Sequence, residues 1–298
     1  MSQFLLKDGR TLDLLDNHHD SPFAILFHHG TPGDATMWRD WHEELAVTSI
    51  RTISVSRPGY SLSDRNSGRR VVDAYADHKE ILDQFDIENF VSVGWSGGGP
   101  HALATSLDPR CRGVISLAGV GQFGQSDLDF LEGMGPENHD EFAVAQKGEA
   151  ALREWMNVNA SPMQHVDGDG LRDAFGGLIG EADKEVLAGS FADDMAAAMR
   201  RGLSHGFDGW IDDDLAFVQP WGFDLHHISV PVQLWQGDDD FMVPHSHSRW
   251  LASKIPGAEV KFMKKEGHIS LGVKHRYDIV TQLQGFLGVE IGHVGEKA

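Results

Sequence analysis

The sequence predicts an α/β fold in which a mostly parallel β-sheet is flanked by helices, with a helical segment inserted into it. Two observations support this prediction. Short apolar runs alternate with helix-like segments over residues 3–118, and strand-like runs return over residues 232–263. Between them, over residues 119–225, only helix-like segments follow one another. Strands that alternate with helices are typical of parallel sheets, and the break in that alternation indicates an insertion.

The individual elements follow from composition and periodicity. Residues 3–6 and 11–15 predict an opening hairpin around a Lys-Asp-Gly turn. Strands are expected where short runs are rich in apolar or β-branched residues, at residues 23–27, 51–55, 90–93, 113–118, 232–236 and 259–263. Helices are expected at residues 35–47, 69–85 and 100–107, within the insertion at residues 140–157, 181–201 and 209–217, and directly after Pro244.

Residues 94–98, Gly-Trp-Ser-Gly-Gly, match the pattern G-x-S-x-G between a predicted strand and a predicted helix. A serine at such a turn is held in a strained backbone conformation, and the glycines avoid a collision where the strand and the helix pass closely. The pattern alone is common by chance, but in this context it indicates a nucleophile elbow. Ser96 is therefore predicted to be a catalytic nucleophile.

A serine hydroxyl needs a base to activate it, and the base needs a group that orients it. Asp240 follows the predicted strand at residues 232–236, and His268 follows the strand at residues 259–263. Here the chain resembles the α/β-hydrolase superfamily, which commonly carries G-x-x-D-x-x-V-P after its seventh strand and Gly-His after its eighth. The resemblance implies that Asp240 is the acid and His268 the base of a catalytic triad.

Each of these assignments has a competitor in the sequence. Asp238 or Asp239 could orient the base instead, or cap a turn. His245 and His247 form a His-x-His pair close to the acid. We interpret both as solvent-exposed residues in the first turn of a helix, because no third metal ligand is in register, and we expect no metal site.

Residues 28–33, His-His-Gly-Thr-Pro-Gly, resemble the His-Gly-x-Pro-Gly loop after the third strand of the same family. Acyl transfer builds negative charge on a carbonyl oxygen, which backbone N–H groups stabilise in an oxyanion hole. One donor is expected on Gly97, directly after the nucleophile. The resemblance implies Thr31 as the other, since Pro32 has no N–H. A plain strand-to-helix turn is the alternative interpretation of this loop.

The resemblance implies an α/β-hydrolase fold with an eight-stranded, mostly parallel sheet. It assigns residues 1–120 and 226–298 to the core domain, and residues 121–225 to a helical cap where the family carries its lid. Trp38 and Trp95 are candidate lining residues of a substrate pocket over the nucleophile.

Composition restricts the partners of the protein. The net charge of −20 argues against binding to nucleic acid or to an anionic membrane. No apolar run approaches a membrane span, and the N-terminal residues lack the layout of a signal peptide. The single Cys111 is compatible with the cytosol, so we expect a cytoplasmic location. Residues 119–124 match G-x-G-x-x-G, but no second strand with an acidic end follows, and no cofactor is expected.

The resemblance implies a serine-dependent hydrolase that works through an acyl-enzyme. A small, largely apolar carboxylic ester is the favoured substrate, because the predicted cap is rich in Phe, Met and Trp. Three alternatives stay open: a prolyl-aminopeptidase-like peptidase, cofactor-free haloperoxidase activity, and a ligand receptor that keeps the fold. Peptidases of that group usually carry a bulky residue at the position of Gly97. The acidic run at residues 212–214 is interpreted as a solvated turn or helix start rather than a clamp for a substrate amine.

Overall fold

A computed structural model describes residues 1–288 and contains an eight-stranded sheet with helices on both faces. Its strands are β1 (Ser2–Leu5), β2 (Thr11–Asp16), β3 (Phe23–His28), β4 (Arg51–Val55), β5 (Asn89–Trp95), β6 (Cys111–Leu117), β7 (Val232–Gly237) and β8 (Glu259–Met263). They lie in the order β1-β2-β4-β3-β5-β6-β7-β8. The pairs β1–β2 and β2–β4 are antiparallel, and the other pairs are parallel. The predicted eight-stranded, mostly parallel sheet is therefore confirmed. Residues 289–298, which the prediction assigned to the core domain, lie outside the described residues.

The helices alternate with the strands and also fill the long connection between β6 and β7. They are α1 (Arg39–Leu45), α2 (Asp73–Gln84), α3 (Gly98–Thr105), α4 (Pro136–Ala145), α5 (Glu149–Asn159), α6 (Gly168–Phe175), α7 (Glu181–Leu187), α8 (Phe191–Gly202), α9 (Asp208–Phe217), α10 (His245–Lys254), α11 (Ser270–Lys274) and α12 (Arg276–Leu287). Short 3-10 helices cover Ala35–Trp38, Ser161–His165, Gly176–Leu178 and Leu225–His227.

The sheet is buried on both faces, which explains why its strands are continuous apolar runs. Side chains along β3 alternate between the two faces. Ile25 and Phe27 pack with side chains of α1 and α12 on one face. Leu26 packs with side chains of α2, α3 and α10 on the other. The carboxyl ends of the central parallel strands are thus held rigidly between two hydrophobic layers.

Two long helices that the sequence predicts are each divided in the structure. The predicted helix at residues 140–157 becomes α4 and α5, because Gly148 has a φ of +95° and interrupts the helical path. The predicted helix at residues 181–201 becomes α7 and α8, with the weak helix former Gly189 between them. The sequence also gave no signal for α6, whose Gly-Asp-Gly start has low helix propensity.

We call residues 118–231, which connect β6 to β7 and carry α4 to α9, the β6–β7 segment. Helix α8 packs closely on the loop after β3, where a side chain on Gly202 would collide with the backbone of Gly33. Residues of α7 and α9 contact the loops after β8 and β3, as described below. The segment therefore lies over the carboxyl ends of the strands. Within residues 1–288, no helix is long and apolar enough to cross a membrane.

Candidate active site

Ser96 occupies the turn between β5 and α3 with a φ of +56°, in the left-handed region. A side chain on Gly94 would collide with the backbone of Gly98, and one on Gly98 would collide with the backbone of His28. Both glycines are therefore required where the strand and the helix pass each other. The turn is fixed by a 2.9 Å hydrogen bond from the Ser96 N–H to the carbonyl of Leu117 on β6.

Asp240 and His268 meet at the ends of β7 and β8. The imidazole Nδ1 of His268 donates a 2.9 Å hydrogen bond to Oδ2 of Asp240. The other oxygen, Oδ1, accepts from the backbone N–H groups of Met242 and Val243 at 3.0 and 2.8 Å. Gln236 donates to Oδ2 at 2.9 Å. Three donors besides the imidazole thus hold the buried carboxylate of Asp240 in one orientation against it.

The backbone of the His268 loop is held from two sides. The indole Nε1 of Trp95 donates a 3.0 Å hydrogen bond to the carbonyl of His268, and the two rings lie 5.3 Å apart. On the other side, the carboxylate of Asp183 on α7 accepts hydrogen bonds from the backbone N–H groups of His268, Ile269 and Ser270. Sequence reasoning missed Asp183, because it lies in the β6–β7 segment and no motif marks it.

The charge around His268 favours the protonated imidazole. Burial lowers the pKa of His268, but the negative charge of Asp240 and its hydrogen bond outweigh that effect, and the charge of Asp183 adds to them. The pKa of His268 is therefore raised above its usual 6.5. A base with a raised pKa is a stronger proton acceptor once it is neutral.

Thr31 and Gly97 are neighbours at the carboxyl ends of β3 and β5, since a side chain on Gly97 would collide with Oγ1 of Thr31. The hydroxyl of Thr31 donates a 2.6 Å hydrogen bond to Oδ2 of Asp213 on α9. Nη2 of Arg57 donates to Oγ1 of Thr31 and to the carbonyl of Gly30, both at 3.0 Å. The loop after β3 is thereby held on one side by Arg57, which follows β4, and on the other by Asp213 of the β6–β7 segment.

Asp213 is the centre of a buried ionic network behind this loop. It accepts hydrogen bonds from Arg57, from Arg69 at 2.6 Å and from the hydroxyl of Tyr60 at 2.9 Å. Burial raises the pKa of Asp213, but the two guanidinium groups outweigh it and hold the pKa well below 3.8. The interpretation of residues 212–214 as a solvated turn is wrong, because all three side chains are buried within α9.

A cavity of about 430 Å³ opens over the serine. Ser96, His268, Thr31 and Gly97 all line it, together with Trp95. Most of the remaining wall is apolar or aromatic and comes from the β6–β7 segment. The structure brings Ser96, His268, Thr31 and Gly97 to one cavity. Asp240 does not line it but contacts it through its hydrogen bond with His268.

Trp38 does not line this cavity. It packs against Phe27, with ring centroids 4.8 Å apart, and lines a second cavity of about 90 Å³ together with Trp41 and Trp95. Trp95 and Met195 border both cavities. Of the two tryptophans predicted to line the substrate pocket, only Trp95 reaches the serine cavity.

The cavity over the serine is acidic. Of residues 1–288, four carboxylic side chains and no Lys or Arg line it; the four are Glu137, Asp140, Glu141 and Asp214. Burial raises the pKa of Asp214 well above 3.8, and the adjacent carboxyl of Glu141 raises it further. Burial also raises the pKa of Glu141, although it accepts a 2.5 Å hydrogen bond from the indole of Trp210. Oδ2 of Asp214 has no hydrogen-bond donor within the part of the chain that the structure describes.

The two histidines after the acid have different environments. His245 is exposed, but His247 is buried and accepts a 2.9 Å hydrogen bond from the N–H of Gly121. Its other ring nitrogen lies 2.9 Å from the carbonyl of Phe130. The prediction of an exposed His247 is therefore wrong, because this side chain anchors the first residues of the β6–β7 segment. Among residues 1–288, no group of three or more His, Cys, Asp or Glu side chains is placed to hold a metal ion.

A parallel sheet with polar residues at the carboxyl ends of its strands, beneath a helical segment, is the arrangement in which α/β proteins bind and convert small molecules. Comparison with known proteins agrees. Residues 24–274 match the model of the alpha/beta hydrolase fold family. The chain belongs to this family, and the resemblance inferred from its motifs is confirmed.

Among related proteins, a 2-hydroxy-6-oxononadienedioate/2-hydroxy-6-oxononatrienedioate hydrolase of Cupriavidus pinatubonensis is 25% identical over 280 residues, 88% of this chain and 87% of that one. A non-heme chloroperoxidase of Streptomyces lividans is 25% identical over 251 residues, 83% of this chain and 84% of that one. Among solved structures, an esterase from Exiguobacterium antarcticum matches with a TM-score of 0.70 at 18% identity, over 96% of this chain and 99% of that one. The last similarity concerns the fold alone.

Proposed function

We propose that this hydrolase is a serine-dependent carboxylic ester hydrolase that uses Ser96, His268 and Asp240 as nucleophile, base and acid. The observation that carries the proposal is the 2.9 Å hydrogen bond from His268 to Asp240 at the wall of the cavity that also contains Ser96. The left-handed backbone of Ser96 supports it, because such strain clusters at functional sites.

In this mechanism Ser96 attacks the ester carbonyl, and its proton passes to His268. Asp240 holds the imidazole in the tautomer that accepts this proton and stabilises the imidazolium that forms. His268 then protonates the departing alcohol. Water hydrolyses the acyl-enzyme, with His268 as the base again.

Negative charge on the carbonyl oxygen is stabilised by backbone donors that are already in position. We propose the N–H groups of Gly97 and Thr31 for this role. The network of Asp213 and Arg57 holds the side chain of Thr31 and therefore the loop that carries its N–H. Removing one donor of an oxyanion hole costs roughly 10²–10³ in kcat.

A fluorophosphonate probe tests the nucleophile, because it labels activated serines and leaves ordinary ones unmodified. We expect one label per chain on Ser96, and loss of both labelling and ester turnover in Ser96→Ala. Ser204→Ala is the matched control, since Ser204 is exposed and does not line the cavity. Labelling that persists in Ser96→Ala would overturn the proposed nucleophile.

We further propose that residues 121–225 act as a cap that selects the substrate. These residues supply most of the apolar wall of the cavity, which supports a small, largely apolar acyl group. The dioate substrates in the name of the Cupriavidus relative carry extra carboxylates. Four carboxyl side chains and no Lys or Arg in the wall argue against such anionic substrates here. The buried Cys111, the one cysteine in the sequence, is compatible with a cytoplasmic reaction.

A prolyl-aminopeptidase-like activity is the second candidate, and the acidic cavity wall favours it. A substrate ammonium group would neutralise the adjacent carboxyls of Glu141 and Asp214 and occupy the oxygen of Asp214 that lacks a donor. The Gly97 position argues against this candidate, because peptidases of that group usually carry a bulkier residue there.

A substrate panel separates the candidates. It contains p-nitrophenyl esters of acetate and butyrate, the monoester of succinate, and the p-nitroanilides of proline and alanine. If the protein hydrolyses small apolar esters, we expect a higher rate on the butyrate ester than on the anionic ester of succinate. Peptidase activity predicts turnover of the anilides, with a loss confined to the anilides in Asp214→Asn. Preferred turnover of the succinate monoester would contradict the peptidase candidate and the preference for an apolar acyl group, while ester hydrolysis itself would stand.

A further inference from the structure

Asp183 makes an unusual set of contacts for a residue of the β6–β7 segment. Its side chain is fully buried on α7 and accepts three hydrogen bonds from consecutive backbone N–H groups. Oδ2 accepts from His268 at 2.9 Å, and Oδ1 accepts from Ile269 and Ser270 at 3.0 and 2.8 Å. One carboxylate therefore satisfies the N–H groups at the start of α11 that have no partner within the helix.

The loop is shaped to admit this carboxylate. A side chain on Gly267 would collide with the Asp183 carboxylate, so the close approach depends on glycine. The N–H of Gly267 is turned to the hydroxyl of Ser270 at 2.8 Å instead. The Gly-His motif accounts for none of these contacts, because their acceptor comes from another part of the chain.

The same stretch of the β6–β7 segment also reaches the acid of the triad. Ile179 forms an isolated antiparallel bridge with Asp240, and a side chain on Gly180 would collide with the carboxylate of Asp239. Residues 179–183 therefore contact both the loop after β7 and the loop after β8.

Three carboxylates surround the His268 loop. Asp240 faces the imidazole from the loop after β7, and Asp183 faces the backbone from α7. Glu266, in the loop itself, points to His275 at 3.7 Å. Of the three, Asp240 and Asp183 raise the pKa of His268.

We propose that Asp183 is a positioning residue for the catalytic histidine: it fixes the backbone of residues 268–270 so that the imidazole meets both Asp240 and Ser96. The inference rests on the proposed function of His268 as the base. It assigns to the predicted cap a second task beside substrate selection, since the cap then carries part of the scaffold of the triad. A displacement of α7 withdraws the carboxylate and leaves three buried N–H groups without an acceptor, so cap position and histidine position are coupled.

The test compares Asp183→Asn with Glu185→Gln. Both changes remove one negative charge from α7, but Glu185 is exposed and pairs with Lys274 at 2.7 Å. In Asp183→Asn the side-chain NH₂ group replaces one carboxylate oxygen and cannot accept a hydrogen bond from the backbone N–H groups that it faces. The loop therefore shifts. A misplacement of about 1 Å costs on the order of 10²-fold in rate. We expect kcat to fall by that order with little change in KM, and Glu185→Gln to keep the kcat of the wild type.

A measurement without turnover keeps this test separate from the proposed function. In protein labelled with ¹³C at histidine Cε1, the NMR signal of His268 is identified as the one that His268→Gln removes. We expect its titration to move to lower pH in Asp183→Asn and to stay unchanged in Glu185→Gln, even if no ester proves to be a substrate.

A second variant covers the case in which Asp183→Asn fails to fold. Gly267→Ala keeps every charge but pushes the Asp183 carboxylate away from the loop. We therefore expect kcat to fall and the titration of His268 to move to lower pH, as in Asp183→Asn. The inference is overturned if a folded Asp183→Asn keeps the kcat and the His268 titration of the wild type. It is also overturned if Gly267→Ala keeps the kcat of the wild type.

Discussion

At the scale of single residues, three consecutive aspartates after β7 have three different partners. Oδ1 of Asp238 accepts a 2.5 Å hydrogen bond from the N–H of Lys265. Asp239 lies against Gly180, and Asp240 faces His268. The sequence motif favoured Asp240 by its spacing alone. The structure adds the physical reason, because a single one of the three carboxylates points at the imidazole.

The first prediction concerns Asp240→Asn. The side-chain oxygen of asparagine goes to the two backbone N–H groups at Met242 and Val243, which turns its amide N–H toward His268 and stabilises the wrong tautomer. We expect the protein to fold and kcat to fall by about 10⁴-fold. Steady-state kinetics on the best ester, beside Asp238→Asn and Asp239→Asn, measure the effect. A greater loss in Asp239→Asn would identify a different acid.

The second prediction concerns pH. His268 must be neutral to accept the serine proton, and its pKa is raised because Asp240 and Asp183 outweigh burial. We therefore expect kcat/KM to rise with pH through a single ionisation above pH 6.5 and to fall below it. Initial rates between pH 5.5 and 9, with folding checked by circular dichroism at each pH, give the profile. A midpoint below 6.5 would contradict the environment described for this histidine.

At the scale of elements, α9 shows what the sequence could not reveal. Its acidic run suggests a solvated helix start, yet each aspartate has its own buried environment. Asp212 pairs with Arg65 at 2.8 Å, Asp213 with Arg57 and Arg69, and the next aspartate lies against a cavity carboxyl. These partners lie about 70 to 160 residues away along the chain, so no local pattern contains them.

The third prediction compares two aspartates of α9. Asp213→Ala leaves the buried guanidinium groups of Arg57 and Arg69 unpaired, which costs about 3–5 kcal/mol of the free energy of unfolding. Asp208, at the start of the same helix, pairs with Arg153 at 2.6 Å and with Arg65 at 3.6 Å. Asp208→Ala removes these pairs, but Asp208 is more than a third exposed and both arginines are partly exposed. Their loss is screened by solvent and amounts to about 1 kcal/mol or less. Urea denaturation followed by tryptophan fluorescence measures both. Equal losses would show that the buried network contributes little.

At the scale of the whole molecule, the features that could be predicted from the sequence are those that local patterns encode. Buried strands gave continuous apolar runs, and the strand-to-helix turn at Ser96 gave its motif, so the sheet could be predicted. The helix breaks at Gly148 and Gly189 could not be predicted, since isolated glycines occur inside helices as well. The roles of Asp183 and Asp213 depend on long-range contacts, which periodicity does not encode. The prediction that Trp38 lines the serine cavity is wrong because an aromatic residue near a motif can equally pack in the core, and only the tertiary contacts decide between the two.

The last prediction concerns the histidines buried throughout the fold. Burial lowers the pKa of His42 to about 4, of His101 to about 3 and of His247 to about 4. The unfolded chain binds protons at these sites below about pH 6.5, while the folded chain does not. Their contribution to stability is therefore present above pH 6.5 and is lost as pH falls toward the folded pKa values. At pH 5.5 each costs about 1.4 kcal/mol, or about 4 kcal/mol together, against a typical total of about 5–15.

His268 and the buried carboxyls with raised pKa act in the opposite sense, because their folded forms bind protons more readily. We expect the buried histidines to outweigh these groups between pH 7.5 and 5.5, so the urea midpoint should fall across this range. His42→Gln removes one of the histidines that take up a proton on unfolding, so the urea midpoints at pH 7.5 and pH 5.5 differ by less. The loss of its hydrogen bonds to Ser54 and Thr52 lowers stability at both pH values. His139→Gln, at an exposed position, leaves the difference unchanged. A midpoint that is the same at both pH values would mean that these imidazoles are hydrated in the folded protein, and the loss of activity below pH 6.5 would then belong to the catalytic base alone.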